Sequence, residues 1–161
     1  MQTRKFHMFV LTALALAGTL YGCAPGKRPF LIAQICLAGS QDLSDFTREL
    51  QSIAQAERGR FIDTSADTKR GLGTVGYASA ERTKGSPVVN MGIDLGHGVG
   101  VTVSNLGLPG FQVALGFSEG SKPREAHRFA EAVIRKLEAR WRVQTVPNPA
   151  ESGALPMPGC N

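Results

Sequence analysis

The sequence predicts an α+β domain, a two-layer sandwich in which two helices pack on one face of a mainly antiparallel sheet. Three observations carry the prediction. From Val89 to Phe117 apolar residues recur at every second position, the period of strands that bury one side. Leu43, Phe46, Leu50, Ile53 and Ala54, and again Phe129, Ala130, Val133, Ile134, Leu137 and Trp141, follow helical spacing instead. Short glycine-bearing turns, Gly96-His97-Gly98 and Leu106 to Gly110, join the alternating runs as hairpins.

The elements follow in order. Phe30 to Leu37 (FLIAQICL) is an apolar run bounded by Pro29 and Gly39, short enough to be a buried strand. Asp42 is placed to cap a helix running through Arg58, with Gly59 as its stop. Arg60 to Thr64 reads as a second short strand. Ser65 to Pro87 is polar, rich in glycine and without a sustained period, and is expected as a long loop of the kind that carries function. In the meander that follows, Val89, Met91, Ile93 and Leu95, then Val99, Val101 and Val103, then Val113, Leu115 and Phe117 give one apolar face and one polar, small-residue face. Pro123 opens a helix to about Trp141, and Arg142 to Val146 adds a last strand. The domain thus spans 30–146, and a tail rich in proline and glycine occupies 147–161.

Hydrophobic residues make up 42% of the 161 and charged residues 19%, a balance that excludes a disordered chain or a coiled coil. Ahead of the domain, Arg4 and Lys5 precede the apolar run Met8 to Leu20, which ends in Leu20-Tyr21-Gly22-Cys23. This is the plan of an export signal, and the run is shorter than the roughly 20 residues that span a bilayer. Leu20, Gly22 and Cys23 resemble the lipobox of bacterial lipoproteins, with Tyr21 where a small or aliphatic residue is usual. The resemblance implies that residues 1–22 are removed by signal peptidase II and that the Cys23 sulfur carries a diacylglyceryl group. Ala24 after the cysteine implies, in a Gram-negative host, an outer-membrane anchor facing the periplasm. Ala15-Leu16-Ala17 offers the ordinary signal peptidase a competing cut after Ala17.

Loss of 22 from 161 residues leaves 139, and loss of Arg4 and Lys5 lowers the formal charge from +5 to +3. Two or more acyl chains hold a protein stably on a bilayer. The tether from Cys23 to Pro29 reaches at most about 25 Å, so the domain would sit close to the membrane. With Cys23 assigned to lipid, Cys36 and Cys160 remain as a pair. In an oxidising compartment they are expected to form a disulfide tying the tail to the first strand; the competing arrangement is a buried Cys36 thiol and a free Cys160.

Three motifs carry candidate chemistry. Gly71-Leu72-Gly73-Thr74-Val75-Gly76 fits the glycine pattern of dinucleotide sites, but lies away from any strand-to-helix turn. Gly116-Phe117-Ser118-Glu119-Gly120 fits the nucleophile elbow, yet Pro123 starts the helix late and His127 stands too near in sequence to complete a triad. Phe61 to Asp67 resembles the active-site segment of retroviral-type aspartic proteases, but a helix precedes it and Thr68 to Gly71 replaces the apolar continuation, so Asp63 reads as a strand-end turn residue. With only His97 and His127 beyond the signal, and no paired Cys-x-x-Cys or HExxH, neither metal nor cofactor is expected.

On the last helix Lys122, Arg124, Arg128, Arg135, Lys136, Arg140 and Arg142 cluster. Glu131 with Arg135 and Glu138 with Arg142 are spaced to pair along it, making a solvated face; the sharper reading is a patch for anionic lipid head groups or an acidic partner. The functional expectation is a non-enzymatic, membrane-anchored binding or assembly module, of the immunity type or a subunit of an envelope machine. Its partners are the bilayer, through acylated Cys23, and a protein or envelope component, not nucleic acid. The contact surface is expected on the 65–87 loop and the polar sheet face of Asn90, Asp94, Thr102, Ser104 and Gln112. The rival is a lipid-anchored serine hydrolase using Ser118.

Overall fold

The computed structural model describes residues 28–74 and 87–147 and, in the tail, Ala154, Pro156, Met157, Pro158 and Cys160. Cys23 and the second half of the 65–87 segment lie outside the described residues. The elements are β1 (Leu31–Cys36), α1 (Ser40–Ala56), β2 (Arg60–Asp63), α2 (Ser65–Thr74), β3 (Asn90–Gly96), β4 (Val99–Ser104), β5 (Gln112–Glu119), α3 (Pro123–Glu138) and β6 (Val143–Thr145). All six strands join one sheet in the order β2-β3-β4-β5-β1-β6, each neighbouring pair antiparallel. This is the α+β sandwich that the sequence predicts.

The core lies between the sheet and two helices. Phe46, Leu50 and Ile53 of α1 and Phe129, Val133 and Leu137 of α3 bury against Ala33, Ile35, Met91, Ile93, Val101, Val103, Val113, Leu115 and Phe117. Each large apolar side chain taken fully out of water contributes about 1.5–3 kcal/mol, so the alternating strand positions and helical stripes account for the layering. Phe129 meets Phe117 edge-on at 6.4 Å, and Phe46 meets Trp141 at 5.6 Å in the same manner.

Three local details differ from the sequence reading. α1 begins two residues before Asp42, whose Oδ2 accepts the Ala38 N–H at 2.8 Å, so the carboxylate reaches back from within the first turn rather than capping it. At the other end Arg58, not Gly59, takes the left-handed conformation, at φ 55°. The Gly59 and Arg58 N–H groups close on Ala54 and Gln55 carbonyls at 2.8 and 3.2 Å, the paired bonds of a Schellman turn. Glycine is needed at 59 for space: a Cβ there would stand 2.6 Å from Leu95 Cδ2 and 2.9 Å from Ile93 Cγ2.

The third difference is α2, which occupies the first part of the expected loop. Asp63 Oδ1 accepts the Ser65 N–H at 2.9 Å, Thr68 N–H bonds the Thr64 carbonyl at 2.9 Å, and Arg70 pairs with Asp67 at 3.1 Å. These are local start signals, whereas α2 buries no residue and so shows no apolar stripe by which its period could be read.

The β3–β4 connection is a two-residue turn with φ 55° at His97 and 77° at Gly98, the handedness that suits twisted strands. In the tail, Cys160 is joined to Cys36 with their Cα atoms 5.6 Å apart. The bridge brings Met157 onto the sheet, where its N–H donates to Gln112 Oε1 at 2.8 Å.

Candidate functional site

Alternation places the predicted contact residues on the sheet face away from α1 and α3. The register sets Asn90, Ser104 and Ala114 in one row across β3, β4 and β5, Gly92, Thr102 and Gly116 in a second, and Asp94, Gly100 and Ser118 in a third. A shallow groove of about 260 Å³ runs over this face, lined by Ile62, Thr64, Asn90, Asp94, Thr102 and Ser118, with Gly92 and Gly100 among the residues of its floor. Those two glycines answer a demand of the sheet itself. A Cβ on Gly92 would stand 2.5 Å from the Val101 carbonyl oxygen, and one on Gly100 2.3 Å from that of Ile93, so β3 and β4 approach too closely there for any side chain.

The polar side chains around the groove are mostly committed within the fold. Asn90 ties β3 to α2: its N–H donates to Ser65 Oγ at 2.9 Å, its Nδ2 to Thr68 Oγ1 at 2.8 Å, and its carbonyl accepts Thr64 N–H at 2.9 Å. Asp94 accepts the Gly96 N–H at 2.8 Å and pairs with Arg60 at 3.0 Å. The Gly96 bond first, and the Arg60 bond and charge after it, hold the Asp94 carboxyl below the usual carboxylate range. Ser104 Oγ accepts the Leu106 N–H at 3.1 Å. Thr102 is exposed and makes no hydrogen bond to another described side chain.

Gln112 departs from the expectation of an exposed contact. It lies on the predicted face but is fully buried, because the disulfide-tied tail covers it and Met157 takes its side-chain oxygen. Pro29 similarly covers Gly116, where a Cβ would fall 3.5 Å from that of the proline. What stays uncovered among the described residues is the β3–β4 half of the face, bounded by α2 on one side. The groove residues that sequence reasoning missed include Ile62, Thr64, Gly100 and Ser118. Strand parity would have found Ile62, Gly100 and Ser118, since each neighbours a residue that packs into the core, and Thr64 lies two positions beyond Ile62.

The candidate catalytic groups do not assemble. Ser118 is paired within β5 opposite Gly100, whose carbonyl accepts its hydroxyl at 3.3 Å. His127 sits on α3, on the other side of the sheet, where its Nε2 is 3.1 Å from Glu119 and its ring lies 4.4 Å from that of Phe30. The strand runs on through Glu119 and the helix starts at Pro123, so no elbow forms at Ser118. Asp63 serves the α2 start as described above. Of the glycine pattern, Gly71 and Gly73 fall inside α2, and Gly76 lies outside the described residues.

Lys122 pairs with Glu125 at 3.1 Å in the first turn of α3, and the ion pairs farther along the helix cross to α1. Lys136 meets Glu49 at 3.6 Å, and Arg140 meets Asp45 at 3.4 Å and Glu49 at 3.9 Å. The expected Glu131–Arg135 and Glu138–Arg142 pairs do not form among the described residues; Arg124, Arg128, Arg135 and Arg142 are all exposed to solvent. Among the described residues no group of His, Cys, Asp or Glu is placed to hold a metal ion, and no helix is long and apolar enough to cross a membrane. Comparison with protein-family models, with curated proteins and with solved structures finds no match to this chain.

Proposed function

We propose that this protein is a lipid-anchored envelope protein whose domain is a non-enzymatic binding module, with Cys23 as the acylated residue and the groove of β3 and β4 as the contact surface. The observation that supports it most is the division of the sheet's second face: the tail and Pro29 cover the β1–β5 half, while the β3–β4 half keeps a backbone-floored groove with exposed Thr102 at its centre. A groove floored by Gly92 and Gly100 lets another chain approach the sheet closely, and binding sites are concave surfaces with a few polar groups at the rim. Asn90 and Asp94 act through this reading as the rigid rim, since their own bonds hold them in place.

Two measurements test it. A photo-crosslinking residue at Thr102, in cells bearing the intact protein, should give one discrete adduct that Arg70, on α2, does not; an equal spread of adducts from both positions overturns the surface. Radiolabelled palmitate should enter the wild type and not Cys23→Ser; uptake by both, or by neither, overturns the anchor.

A further inference from the structure

We infer that the outward face of α3 is a docking surface for an anionic phospholipid bilayer, which lays the domain on its helical layer. This deepens the proposed anchoring and rests on it for proximity to the membrane. Arg124, Arg128 and Arg135 stand opposite the buried stripe of Ala126, Phe129, Ala130, Val133 and Leu137, spread along about 16 Å of helix. All three are exposed, and none forms an ion pair with another described residue. Glu131 and Glu138 lie on the same side of the helix but leave these arginines unpaired, while the cations on the α1 seam, Lys136 and Arg140, are met by Glu49 and Asp45. Three arginines against Glu131 and Glu138 leave the side that faces away from the protein net positive.

The point where the chain enters the domain selects a bilayer as the occupant. Phe30 donates its N–H to the Phe117 carbonyl at 3.0 Å and packs against His127, which lies within one turn of Arg124 and next to Arg128. Seven residue steps from Phe30 back to Cys23 span at most about 25 Å, so an acylated Cys23 holds the beginning of α3 within that distance of the head groups. Each arginine brought to an anionic surface favours the docked orientation about fivefold, and the effect decays within a screening length.

The experiment uses the intact protein, purified from membranes and reconstituted into vesicles of phosphatidylcholine alone or with phosphatidylglycerol. Arginine modification by phenylglyoxal is read residue by residue by mass spectrometry, and the intact mass in the same preparation reports acylation separately. Labelling of Arg124, Arg128 and Arg135 is expected to fall about fivefold in the anionic vesicles and to recover in about 1 M salt, where the screening length is about 3 Å, while Arg60 and Arg70 stay unchanged. The double variant Arg128→Glu, Arg135→Glu should lose the protection at Arg124. Equal labelling in both vesicles with the acyl mass present overturns the docking and leaves the anchor standing; absent acyl mass overturns the anchor, and protection of unacylated protein in anionic vesicles would still support the face.

Discussion

Trp141 Nε1 donates to Asp42 Oδ1 at 2.7 Å, joining the end of α3 to the beginning of α1 across 99 positions of sequence. The other oxygen of the same carboxylate holds the Ala38 N–H, and the indole ring lies edge-on to Phe46 with the Arg140 guanidinium 4.8 Å above it. One acidic side chain thus fixes how the two core helices meet the loop after β1.

Asp42→Ala is expected to lower stability by about 2 kcal/mol, because two hydrogen bonds to a charged acceptor are lost and the buried side of the indole is left without its partner. Trp141 is the one tryptophan of the chain, so its emission follows the change directly in a urea titration. An unmoved midpoint would show that the contact contributes nothing.

Cys160→Ser removes a crosslink between positions 124 apart and is expected to cost about 4–5 kcal/mol by the chain-entropy estimate for a loop of this length. The tail should then leave the sheet, and Gln112 and Met157 should gain amide-exchange rate relative to Val103 in the core. If reductant changes neither the melting temperature nor exchange at Gln112, the clamp assigned to the tail is wrong.

Gly92→Ala and Gly100→Ala each place a carbon against a backbone carbonyl that cannot move without parting β3 from β4, and a loss of about 1–3 kcal/mol is expected for each. Thr102→Ala, at the exposed centre of the same groove, should stay within about 0.5 kcal/mol. Thermal melts of the three variants check the contrast, which fails if all three behave alike.

The depressed Asp94 carboxyl makes a pH prediction with a definite sign. Because its folded value lies below its unfolded value, its contribution is present above the unfolded value, near pH 4, and is lost as pH falls through the folded one. Asp94→Asn should therefore flatten the acid side of the melting-temperature profile while moving the neutral plateau less. An identical acid slope in the two proteins would remove Asp94 from the account.

Ser118→Ala deletes a hydroxyl whose proton is given to the Gly100 carbonyl and which makes no hydrogen bond to a histidine among the described residues. The expected cost is about 1 kcal/mol of stability, and the wild type should resist fluorophosphonate labelling. Labelling that Ser118→Ala abolishes would restore the hydrolase reading.

Much of the fold was legible because its signals are local and periodic. Val101 and Val103, or Phe129 and Val133, announce a buried face by spacing alone, and the turn at His97-Gly98 by its glycines. α2 was illegible for the opposite reason: with no buried residue it has no stripe, and Gly71 and Gly73 mask the start signal at Asp63 to Asp67. Of the candidate site, strand parity put Asn90, Asp94, Thr102, Ser104 and Gln112 on one face, yet could not tell which of them were free to meet a partner.

The sequence alone determined the α+β class, the core faces and the pairing expected of Cys36 and Cys160. Tertiary structure decided availability. A side chain's face follows from the two-residue period of its own strand, but what covers it comes from segments far away in sequence: Met157 reaches Gln112, Ser65 and Thr68 engage Asn90, and Asp45 and Glu49 draw the cations of α3 to one side while leaving Arg124, Arg128 and Arg135 in water. Hydrogen bonds and ion pairs act over a few ångströms of space, whatever the separation along the chain.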